Sequence, residues 1–175
     1  NLNTLQSILL LPENGKVAQF ANALASVIAF GLPSMVAAYF AKGSWMQNMG
    51  FVSIKKVEQL SIVIALSIAG LLLSGALGDL TEKIPLSDNI RQWADSMEEQ
   101  YKNALMAMTQ MKSIMDLVFA ILAVALIPSI MEELFFRASL QKILVDWSGK
   151  PYLSIVVTAI VFSAIHFSYF GFLSR

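Results

Sequence analysis

Residues Leu117 to Arg137 read LVFAILAVALIPSIMEELFFR. The run from Leu117 to Met131 is apolar and then meets Glu132 and Glu133 without a break. A bilayer-crossing helix needs about 20 apolar residues. This run is too short by itself, so it crosses only if the helix continues through both glutamates. Only helices and closed barrels satisfy their own backbone in lipid. A helix that carries two adjacent carboxylates into that environment must have a use for them.

Three further stretches flank it. Val17 to Ala41 and Leu60 to Gly78 carry no charge, and Tyr152 to Leu173 carries only His166. The fold expected is all-α: a polytopic transmembrane helix bundle of about four spans, forming a single membrane domain over residues 1–175. The spans lie near 17–41, 60–78, 114–145 and 151–173. An amphipathic connecting helix lies near 88–112. Its stripe is Ile90, Trp93, Met97, Tyr101, Ala104, Met108, Met111 and Met115, at helical spacing. Ser87 or Asp88 can cap it. Ala21, Ala25, Ala29, Pro33, Ala37 and Ala41 recur every four residues in the first span, as do Gly70, Ser74 and Gly78 in the second. Such small residues let helix backbones approach.

Composition agrees with this layout. The chain is 57% hydrophobic and 14% charged, against about 25% charged in an ordinary soluble domain. With 12 basic and 12 acidic residues it has no net charge. The absence of any basic run removes a nucleic-acid footprint. Without cysteine, disulfides, thiolate metal sites and thiol catalysis are excluded. Residues 1–16 lack the pattern of a signal peptide. The chain begins with Asn1 and is expected to be a fragment of a longer protein. Charge is sorted along it. Residues 42–56 hold three Lys and no acid, whereas 79–116 hold seven acids against four bases. The basic loops are therefore expected on the cytoplasmic side.

Glu133 and Arg137 are spaced i,i+4 and can pair. Glu132 is turned about 100° from Glu133, so Arg137 cannot serve both equally. Glu132 is the less compensated carboxylate and the one suited to a general base. His166, the sole histidine, lies 15 residues past Pro151, and Glu132 lies 14 before Asp146. An antiparallel hairpin turning at Ser148-Gly149-Lys150-Pro151 puts both at about the same depth. Pro128, one turn before Glu132, frees the carbonyl of Val124. A carboxylate and an imidazole at one depth can activate water, bind a divalent metal or relay protons. Spacing does not choose among these.

Glu132-Glu133-x-x-x-Arg137, within MEELFFR, followed by Phe162-x-x-x-His166, within FSAIH, resembles the first two motifs of the CPBP family. These are the CAAX proteases and the bacteriocin-processing (Abi) intramembrane proteases. The resemblance covers roughly residues 113–175. It implies a multi-pass endopeptidase of a bacterial cytoplasmic membrane, acting among lipid on a peptide or membrane-protein substrate. Glu132 would activate the attacking water and His166 would hold and polarise it. Glu133 and Arg137 would orient the site, and Phe162 would pack beside His166. Both a metalloendopeptidase mechanism, using a divalent ion such as zinc on Glu132 and His166, and a metal-free glutamate mechanism are consistent with the family.

Two departures stand out. Ala138 replaces the usual Gly after the motif Arg, and the family's later helix with a second His and an Asn or Asp is not in these residues. Residues 1–175 alone are therefore expected to be incomplete as a protease. Other readings of the same residues are a non-catalytic bacteriocin-immunity or membrane-partner protein on this scaffold, and a proton-coupled transporter fragment.

Overall fold

The computed structural model describes residues 14–41, 43–51 and 56–175. Lys42 and Lys55, which carry much of the first basic loop, lie outside them, as do residues 1–13. Among the described residues the protein is all-helical, without strands. Three helices are long and apolar enough to cross a membrane: α1 (Gly15–Phe40), α3 (Val57–Glu82) and α5 (Ile114–Ser148). The short α2 (Trp45–Asn48) follows α1. The amphipathic α4 (Asp88–Met108) precedes α5, and α6 (Pro151–Ala164) follows it.

α5 runs unbroken through Glu132 and Glu133. Its start is built by Ser113, whose hydroxyl accepts from the Asp116 backbone N–H at 3.1 Å. The Asp116 carboxylate in turn accepts from Lys112 N–H and pairs with Lys16 of α1 at 2.7 Å. Its end is the hairpin turn. Gly149 is left-handed, with φ 66°, and its N–H closes on the Val145 carbonyl at 2.8 Å. Glycine takes this conformation at no steric cost, and Pro151 then starts α6 with a preset φ.

Both long packed helices contain a π-turn just before a proline: Val27–Gly31 ahead of Pro33 and Ile121–Leu126 ahead of Pro128. Proline cannot donate, and its ring crowds the preceding turn. Widening that turn relieves the clash. Ile127 N–H consequently reaches back to Leu122 O, so Ala123 O is left facing a residue with no N–H. The side chain of Asn22 in α1 donates to it at 3.3 Å. The carbonyl captured is thus Ala123, one residue before the Val124 expected from α-helical spacing. Asn22→Leu should leave this carbonyl unpaired and lower stability in detergent by about 1 kcal/mol. An unchanged unfolding midpoint would show that the contact contributes nothing.

The small-residue stripe is also corrected. A step of four residues turns about 400° on a helix of 3.6 residues per turn, so a strict four-residue repeat drifts about 40° each time and does not stay on one face. Ala23, Ser26, Gly31, Ser34 and Ala38 form the buried face of α1, while Ala25, Ala29 and Pro33 are exposed. Gly31 matters for approach: a Cβ there would lie 2.7 Å from the Met131 sulfur on α5. Gly15 matters likewise, since a Cβ would lie 2.7 Å from the Ala107 carbonyl of α4. Next to that contact, Gln19 donates to the Met108 carbonyl. In α3, nothing approaches Gly70, whereas Ser74 donates to the Ser174 carbonyl at 2.6 Å.

Two further expectations change. The amphipathic helix ends at Met108, not near 112, because Ser113 caps a separate helix. Its seam is Ala94, Met97, Ala104, Ala107 and Met108, with Ile90, Trp93 and Tyr101 exposed. The fourth apolar stretch is helical only to Ala164, not to 173. Its 14 residues rise roughly 21 Å, less than a bilayer core of about 30 Å. The segment beyond is rich in aromatics and contains Gly171, both poor helix formers. Phe167 adopts φ 48°, and the Ser168 hydroxyl accepts from Gly171 N–H at 3.0 Å, replacing a helical bond.

Candidate active site

α5 presents Glu132, Glu133 and Arg137, α6 presents Phe162, and the turn after α6 presents His166. Beyond Pro128 the helix is α-helical through Glu133 and then widens again over Leu134–Gln141. Glu133 and Arg137 pair at 3.4 Å, both well exposed. Glu132 points elsewhere and is half-buried.

His166 lies just past the end of α6 rather than inside a helix. Helix ends leave carbonyls without partners. Here His166 N–H closes on Ser163 O at 3.3 Å, and the Phe162 carbonyl is taken instead by His166 Nδ1 at 2.7 Å. A carbonyl only accepts, so Nδ1 carries a proton and, in the neutral ring, Nε2 is the acceptor. Non-helical backbone at membrane depth is tolerated where it lines a cavity, and this one does.

That cavity, of about 500 Å³, has walls from three helices and from the turn after α6. α1 contributes Asn22, Ala25, Ser26, Ala29 and Phe30, and α4 contributes Tyr101 and Leu105. Glu132 lines it from α5 and His166 from the turn after α6. Matching depth left their relative rotation open, and the tertiary packing turns both toward one space. They are electrostatic neighbours, as are Glu132 and Arg175. Among the described residues no hydrogen bond joins Glu132 to His166.

Glu132 also borders a second cavity of about 530 Å³ between α5 and α6. Its polar lining includes Ser129, Glu133, Arg137, Gln141 and Thr158. Glu132 is thus the wall common to both spaces.

A chain of rings holds α1, α5 and α6 in this arrangement. Phe30 meets Phe135 and Phe136 at 5.5 and 5.6 Å between centroids, and Phe136 meets Phe162 at 5.1 Å. Phe162 in turn lies 4.7 Å from the His166 ring.

Residues 114–174 match the family model Rce1-like, described as type II CAAX prenyl endopeptidase Rce1-like. This segment, about a third of the chain, is similar to the CPBP family of CAAX-type proteases. The matched segment comprises α5, α6 and the turns after α6, so it contains both glutamates, Arg137 and His166. The family is one of membrane proteases, and the three long apolar helices make this a multi-pass membrane protein. No curated protein and no solved structure matches the chain.

The cavity around the CPBP motifs also draws on residues that sequence reasoning did not single out for the site. Asn22, Phe30 and Leu105 lie outside the matched segment, as does Tyr101, whose ring carries Arg175 at 5.8 Å. Tyr101 was legible only as part of the amphipathic stripe. Nothing in local spacing marks Asn22 or Phe30. A catalytic zinc site takes three protein ligands. Among the described residues no group of three or more His, Asp or Glu gathers to hold a metal, so Glu132 and His166 fall short of such a set.

Proposed function

We propose that this chain forms the core of an intramembrane endopeptidase in which Glu132 activates the attacking water. One observation carries the reading: Glu132, on a membrane-crossing helix, shares a cavity with His166, whose Nε2 is left unbonded by the Phe162 contact. A water in that cavity can donate one proton to the Glu132 carboxylate and the other to His166 Nε2. Both contacts raise electron density on its oxygen. The oxygen adds to the substrate carbonyl carbon as Glu132 takes the first proton. Collapse of the tetrahedral species breaks the C–N bond, and Glu132 returns that proton to the departing nitrogen.

The pair of Glu133 and Arg137 has a different part. It keeps a cation beside the groove and leaves Glu132 free of a fixed partner. Phe162 orients the imidazole through its carbonyl and its ring. The substrate is a membrane-embedded peptide or protein segment, and the membrane is a bacterial cytoplasmic one. The test uses the full-length protein in lipid vesicles with membrane-delivered peptides. Wild type should cleave, and His166→Ala should slow cleavage about 10²-fold. If Glu132→Gln and His166→Ala both cleave like wild type, the proposed pair is wrong.

A further inference from the structure

Water activated by Glu132 adds to a carbonyl carbon, and the carbonyl oxygen then carries a negative charge. A preorganised donor for that oxygen is usually the largest single contribution to such a reaction. Two guanidinium groups border the groove that Glu132 walls, those of Arg137 and Arg175. Arg137 is committed to Glu133 at 3.4 Å. Arg175 is exposed and, among the described residues, makes no ion pair.

A cation kept unpaired at such a site is costly and marks a use. The fold holds this one without engaging its donors. Its Cζ lies over the Tyr101 ring of α4, 5.8 Å from the centroid. A ring takes the flat face of a guanidinium, so the in-plane N–H groups stay free for an anion. The group also packs against Gly171, where a Cβ would lie 2.8 Å from Cζ and 2.9 Å from Nη1. Only glycine leaves it this place. Arg175 is an electrostatic neighbour of Glu132, yet the two are not in ion-pair contact. That separation suits the reaction. A direct pair would occupy the carboxylate. A gap admits a water and then the substrate carbonyl, each about 3 Å from the next group, with a donor about 3 Å from the oxyanion.

We propose that the Arg175 guanidinium donates to the carbonyl oxygen of the scissile bond and stabilises the oxyanion formed there. As the water oxygen bonds to carbon, its proton goes to Glu132 and the carbonyl π pair moves to the oxygen facing Arg175. That pair returns when the C–N bond breaks. Arg175 is then a catalytic residue supplied by the turns after α6. This rests on the endopeptidase reading, and kinetics separate the two. Full-length protein in lipid vesicles is given membrane-delivered peptides. Arg175→Gln should lower kcat about 10²-fold with KM little changed. Arg175→Lys, which keeps a charge and donors, should recover part of the loss. A peptide phosphonate, a tetrahedral anion that imitates the oxyanion, should bind Arg175→Gln about 10²-fold more weakly than wild type. Wild-type kcat in Arg175→Gln overturns this proposal and leaves the endopeptidase reading standing. A raised KM at constant kcat also overturns it, because the guanidinium then serves ground-state binding alone. A wild type that cleaves no peptide sinks both.

Discussion

Glu132→Gln is expected to reduce peptide cleavage by the full-length protein about 10³-fold, the middle of the range for loss of a general base. This corresponds to about 4 kcal/mol of transition-state stabilisation. Glutamine keeps the volume and can still hydrogen-bond water, but it cannot accept the proton. The fold should be unaffected, because no ion pair or hydrogen bond of the described structure depends on the Glu132 carboxylate. Glu133→Gln provides the contrast. Glu133 faces Arg137 at 3.4 Å and is 60% exposed, so its loss should cost about 10-fold or less, as for a weakly held surface pair of at most about 1 kcal/mol. If glutamine at 133 is the more damaging change, the two carboxylates have been assigned the wrong way round.

Phe136→Ala should produce the largest loss of stability, about 2–3 kcal/mol by thermal unfolding in detergent. The ordinary cost of Phe→Ala in a water-soluble core is about 3–5 kcal/mol, part of it the transfer of the ring from water. In lipid that transfer contribution falls away, because lipid tails are as apolar as the protein interior. The cavity and the lost ring contacts remain. Phe136 is 2% exposed and touches Phe30, Phe135 and Phe162. Phe40, 79% exposed, is the control: Phe40→Ala should change stability by less than about 0.5 kcal/mol, since lipid replaces what is removed. Phe136→Ala should also depress cleavage, because Phe162 both packs on Phe136 and holds His166 Nδ1. Equal effects at the two positions would mean that ring packing does not fix the site.

The comparison of sequence with structure is clearest in α5. Its apolar run, its two glutamates and the i,i+4 relation of Glu133 to Arg137 were legible because they depend on neighbours within one helix. The hairpin turn was legible for the same reason, through Gly149 and Pro151. The effect of the prolines was only half legible. That Pro128 must release a carbonyl follows from its missing N–H. Which carbonyl is released depends on a π-turn stabilised across the bundle by Asn22. The four-residue stripe of α1 misled for a different reason: a step of four drifts about 40° per repeat on a helix of 3.6 residues per turn, and the face expected to pack opens onto the site cavity at Ala25 and Ala29.

The short α6 shows a different limit. Hydropathy reports whether residues tolerate lipid, and Tyr152 to Leu173 all do. It does not report whether the backbone stays helical, which for 165–175 is decided by Ser168, Gly171 and the left-handed Phe167. His166 consequently sits at a helix end, where an unpartnered carbonyl fixes its ring.

By itself, then, the sequence determined the class of the fold, the membrane as its solvent, and the few polar groups on which chemistry can rest. These follow from composition and from spacings shorter than two helical turns. Only the tertiary structure decided that Glu132 and His166 share one cavity and that Asn22, Phe30 and Tyr101 help to wall it. The reason is geometric. Depth along a helix can be counted residue by residue, but rotation about its axis is set by what packs against it, and those partners lie far away in the chain.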